Sequence, residues 1–98
     1  MSNKNVNIDK ALLSVIRTGS VIIGSKRTIE SAEKSEAEMV ILSANCPENV
    51  RSKIKSTDVP VYNYQGTSVE LGASCGKPFS IAAMAIIDPG ESNILSSA

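Results

Sequence analysis

Apolar positions along the chain alternate between two patterns: helical spacing of three and four residues, and short unbroken runs. Ile8, Leu12, Val15 and Ile16 lie on one helical face, with Asn7 placed to cap that helix and Gly19 to stop it. Val21 to Ile23 is a β-branched run of the kind that fills a strand buried on both faces, and Gly24 ends it. A second helix is predicted from Ser25 to about Lys34, with Ile29 and Ala32 inward. Met39 to Leu42 reads as the second strand. Pro47 then opens a third helix, with Val50 and Ile54 inward and Arg51, Lys53 and Lys55 in water. Val59 to Tyr64 is the third strand, with Pro60 near its start. Thr67-Ser68-Val69-Glu70 has the pattern of a capping box, opening a helix that carries Val69 and Leu71 and stops at Gly76. Ser80 to Ile87 forms the fourth strand, Asp88-Pro89-Gly90 a turn, and Ser92 to Leu95 a short last helix.

Alternation of this kind predicts an α/β domain, a largely parallel or mixed four-stranded sheet with helices on both faces. A chain of 98 residues without repeats or linkers suits one domain, residues 1 to 98. With one Phe, two Tyr and no Trp, its core must be aliphatic. MSNKNVNIDK lacks the apolar centre of a secretion signal, and Ile81 to Ile87, the longest apolar run, is far too short for a bilayer; a cytoplasmic protein with no membrane contact is expected.

Charge changes the picture by its placement. Ten Lys and Arg balance ten Asp and Glu, which removes any global attraction to nucleic acid. Lys26, Arg27, Arg51, Lys53, Lys55 and Lys77 nevertheless fall at or near segment junctions, while Glu30, Glu33, Glu36 and Glu38 form an acidic block. Cys46 and Cys75 have no histidine to complete a zinc site, so reduced thiols are expected, and no metal or cofactor. The absence of histidine also removes the commonest acid–base group, and no catalytic residues are assigned. Gly19 to Gly24 has the glycine spacing of a phosphate loop, but Ser25 stands where its lysine must be and Val21 to Ile23 belong to a strand.

The junction Gly24-Ser25-Lys26-Arg27 offers a helix N-terminus flanked by two cations, which suits an anion as well as it suits a plain turn. Asn45, after the second strand, either supports a turn or reads a base edge with its paired donor and acceptor. Phe79 reads first as core, the alternative being a stacking surface for an unpaired base.

Four segments in order, GSKRTIESA, MVILSANCP, VPVYNYQGTSVELG and CGKPFSIAAMAIIDPGESNIL, resemble the kink-turn RNA-binding superfamily of ribosomal proteins, in its archaeal and eukaryotic large-subunit branch. The resemblance runs almost end to end. It implies a three-layer α/β/α sandwich around a central four-stranded mixed sheet, a structural and non-enzymatic role, and as partners a kink-turn in ribosomal RNA and neighbouring ribosomal proteins, the free protein being a monomer. It also implies RNA contacts at Gly24, Ser25, Lys26 and Arg27, a guanine-reading role for Asn45, and an apolar surface at Phe79 and Ile81. Lys77 and Ser80 flank that surface, Ser80 standing where the family's eukaryotic members often carry a basic residue. The alternative is a protein-interaction or ribonucleoprotein module of the same fold acting outside the ribosome.

Overall fold

The computed structural model describes residues 8–90. Its elements alternate as α1 (Ile8–Thr18), β1 (Ser20–Ile23), α2 (Ser25–Glu33), β2 (Met39–Leu42), α3 (Glu48–Lys55), β3 (Val61–Asn63), α4 (Ser68–Ser74) and β4 (Ala83–Asp88). The expected cap at Asn7 and the expected helix at Ser92 to Leu95 lie outside the described residues.

The sheet order is β1-β4-β2-β3, with β4 antiparallel to both of its neighbours and β2 parallel to β3, so the sheet is mixed. Side-chain alternation sorts its two faces. Met39, Ile41, Met84 and Ile86 face α1 and α4, against Leu12, Val15 and Leu71. Val40, Leu42, Ala83 and Ala85 face α2 and α3, against Ala32, Val50 and Ile54. All four residues of β2 are buried because the strand is interior and covered on both sides. The fold is therefore the three-layer α/β/α sandwich that the family resemblance implied, with helices on both faces as the pattern predicts.

Some elements differ at their ends. β3 is shorter than its apolar run, although the Val40 N–H still donates to the Pro60 carbonyl, which continues the pairing by one residue. β4 begins at Ala83 and not at Ser80, because the Ile81 N–H is used by the Ser68 carbonyl of α4 and not by a neighbouring strand. Pro47 precedes α3 as its cap residue, and its carbonyl accepts from Val50 and Arg51. Of the two apolar residues α4 carries, Leu71 is buried and Val69 is 68% exposed, since residues two apart on a helix point to different sides.

One edge of this sheet collects the chain's junctions. The register pairs Ile23 with Met84, and Leu42 with both Ala83 and Asn63, so the ends of β1, β2 and β3 and the entry to β4 lie side by side. The Gly24 N–H reaches the Ala83 carbonyl at 3.1 Å and the Ser43 N–H the Ala82 carbonyl at 2.9 Å.

Candidate nucleic-acid interface

The first wall of this edge is the β1–α2 junction. Gly24 has φ 117°, a conformation that L side chains rarely adopt, and a Cβ built there would meet no protein atom within 4 Å. Backbone shape, and not close packing by another segment, therefore requires the glycine. No side chain caps α2, and no acidic residue occupies its first turn. Lys26 and Arg27 are exposed, while Thr28 turns inward and is fully buried.

The second wall is the β2–α3 junction. Asn45 is exposed, and its Oδ1 accepts from the Ser68 N–H at 2.8 Å and from Ser43 Oγ at 3.0 Å. It thus ties the end of β2 to the start of α4, which Thr67 and Glu70 cap reciprocally as the sequence predicted. Arg51 departs from the wet face expected for it. Its Nη2 donates to the Ser43 carbonyl at 3.0 Å and its Nη1 to Asn63 Oδ1 at 2.6 Å, bracing β2 against β3. Helical spacing placed Arg51 beside Lys53 and Lys55; its reach to residues far along the chain leaves no periodic trace.

The third wall is the segment between α4 and β4. Phe79 is 52% exposed, which overturns its reading as core. Its backbone lies so close to α4 that a Cβ at Gly72 would overlap the Phe79 carbonyl oxygen, and the Lys77 N–H reaches the Gly72 carbonyl at 2.9 Å. Ile81 corrects another expectation: it is 1% exposed, packed in the α1/α4 core, and its side chain offers no surface. What Ile81 supplies is anchorage, holding Ser80 and Phe79 outside while it fixes the chain within. Ser80 is exposed and Lys77 half-buried.

Neither thiol is poised for chemistry. Both cysteines are free and buried, as expected of reduced structural residues. Burial raises the Cys46 thiol above its ordinary value, and pushes Cys75 from 9.0 to about 11 despite the opposing charge of Lys77. The far end of the sheet carries charges of both signs. There a groove of about 640 Å3 between α2, β2 and the α3–β3 connection is lined by Glu33, Glu38 and Asp58. Lys34 ends α2 and Lys53 and Lys55 lie in the last turn of α3 at that same end, so the two ends of the sheet are not sorted by sign. Among the described residues no group of His, Cys, Asp and Glu could hold a metal ion, and no helix is long and apolar enough to cross a membrane.

An α/β/α sandwich with a glycine–cation turn, an exposed amide and a half-exposed aromatic at its junctions defines the class as small three-layer α/β domains. The chain belongs to the ribosomal protein L7Ae/L30e/S12e/Gadd45 family, whose model matches residues 6–96. Among its relatives is the large ribosomal subunit protein eL30 of Methanosarcina mazei, 57% identical over 90 residues that cover 92% of this chain and 87% of that protein. The protein of the same name from Methanothermobacter thermautotrophicus is 45% identical, covering 92% and 96% respectively. A solved structure titled as a protein of unknown function from Bacillus halodurans superposes with a TM-score of 0.68 at 22% identity, covering 90% of this chain and 92% of that one, and shares the fold.

Proposed function

We propose that this protein is a structural constituent of the large ribosomal subunit that binds and stabilises a kink-turn in ribosomal RNA through the edge formed by Gly24, Ser25, Lys26, Arg27, Asn45, Lys77, Phe79 and Ser80. The observation that carries this reading is the exposure of Lys26, Asn45 and Phe79, far apart in sequence, on junctions that the sheet register gathers at one end. Phosphates at the bend meet the unfilled N-terminus of α2, where Lys26 and Arg27 release counterions. Asn45 reads a base edge, and Phe79 stacks on an unpaired base, each worth about 1 to 3 kcal/mol. The free protein acts as a monomer. High identity to proteins named as large-subunit components supports the ribosomal setting and neighbouring ribosomal proteins as partners.

Gel-shift titration against a kink-turn duplex, and against the same duplex with its G·A pairs replaced, tests the proposal. Tighter binding to the intact kink-turn is expected, and equal affinity for both removes the claim. The alternative, a protein-interaction module outside the ribosome, draws on the acidic groove at the far end of the sheet. It requires RNA affinity to be indifferent to Lys26→Ala.

A further inference from the structure

The β3 side of the sheet is open to pairing. β3 is the outermost strand there and pairs with β2 alone. The Val40 N–H donates to the Pro60 carbonyl and the Tyr64 N–H to the Leu42 carbonyl, so the even-numbered positions turn their backbone groups towards β2. Alternation directs the N–H and carbonyl of Val61 and Asn63 outward, and among the described residues nothing pairs with them.

On the α1/α4 face of the same segment lies a groove of about 280 Å3, bounded by Asp9 of α1, by Tyr62 and Tyr64, and by Glu70 of α4. A Cβ at Gly66 would come within 2.7 Å of the Tyr64 ring and 2.8 Å of Glu70 Oε1, so the glycine lets ring and carboxylate share one wall. Both charged residues that line the groove are acidic, and no described lysine or arginine lines it. Glu70 Oε1 accepts from the Thr67 N–H and Asp9 Oδ1 from the Tyr64 hydroxyl, which leaves each carboxylate its second oxygen for an incoming donor. Burial raises the Tyr64 phenol above its ordinary value, and the charges of Asp9 and Glu70 raise it further against the hydrogen bond with Ser74, so both carboxylates act at one ring.

We propose that this edge docks an extended basic segment of a protein partner, added as a strand along β3 with one arginine side chain in the groove. Directly paired residues of neighbouring strands point to the same face, so the partner residue opposite Tyr62 is the one that enters. A planar guanidinium stacks on tyrosine rings, and its fork serves two carboxylates at once. The same carboxylates repel phosphate, which makes the occupant a protein and sets this surface apart from the cationic turn at Lys26 and Arg27. The inference stands without the RNA reading.

Binding is measured with a short blocked peptide of alternating threonine and serine around one central arginine, with the same peptide carrying glutamate at the centre, and with the arginine peptide N-methylated so that it cannot pair as a strand. Backbone amide shifts of the protein report both affinity and place. The arginine peptide is expected to bind at least about tenfold more tightly than either control, and to shift the Val61 and Asn63 amides and protect them from hydrogen exchange. Asp9→Asn combined with Glu70→Gln, which keeps the cap of α4, is expected to cut the preference over the glutamate peptide to about twofold at an unchanged melting temperature. Equal binding of the arginine and glutamate peptides, undiminished binding of the methylated one, shifts confined to the Lys26 and Phe79 segments, or no binding at all overturns the inference.

Discussion

Thr28 illustrates how a single side chain can be wrong for stability. It is fully buried in the first turn of α2, and its Oγ1 has no hydrogen-bond partner. An orphaned buried hydroxyl costs free energy that an isosteric methyl does not. Thr28→Val is expected to raise the free energy of unfolding by about 1 kcal/mol, read as a higher urea midpoint at unchanged slope. Gly24→Ala should act in the opposite sense and cost about 1 to 3 kcal/mol, because the strain is in the backbone and no contact offsets it. Cys75 links stability to pH. The folded protein keeps the thiol proton that the unfolded chain releases above 9.0, so this contribution is intact below 9.0 and is lost as pH rises towards about 11. Denaturation at about pH 8 and about pH 10.5 should show a fall in midpoint that is shallower in Cys75→Ala.

At the scale of elements, the alternation of helical and strand periods in the sequence was enough to reveal all eight described elements, although β1, expected to be buried on both faces, is an edge strand and like β3 has no fully buried residue. The capping box was legible because its two hydrogen bonds are local to four residues. Ile81 and Phe79 were not, for the converse reason. Which of two apolar neighbours turns inward depends on the Ile81 N–H meeting Ser68 and on the absence of a Cβ at Gly72, both contacts across sequence. Gly72→Ala should therefore push the 77–80 segment off α4. The expected result is a destabilised fold and a loss of RNA affinity comparable with that of Phe79→Ala, measured by thermal melting and gel shift. Arg51 escaped for a related reason, because a fork joining β2 to β3 cannot be read from the spacing along α3.

Across the whole molecule, the net charge is zero, so attraction to an RNA ligand has to come from the local placement of cations. Lys26 and Arg27 stand at one end of α2, and Glu33 at the other end lines the acidic groove with Glu38 and Asp58. Attraction then acts at the sheet edge, with little non-specific pull from the remainder of the surface. The joint substitution of Lys26 and Arg27 by alanine should lower the slope of log affinity against log salt by about 1.5, close to the value for two phosphates. The mixed sheet provides the rigid frame, because β4, between β1 and β2, brings three junctions into fixed register.

The central claim is that this edge holds RNA in a bent shape, and donor–acceptor fluorescence transfer across the two arms of a labelled kink-turn duplex measures that bending directly. The wild-type protein is expected to drive the duplex to its bent, high-transfer state, and the combined variant Lys26→Ala, Asn45→Ala, Phe79→Ala is expected not to do so at the same concentration. Bending that proceeds equally with the combined variant, or a wild-type protein that leaves transfer unchanged, would contradict it.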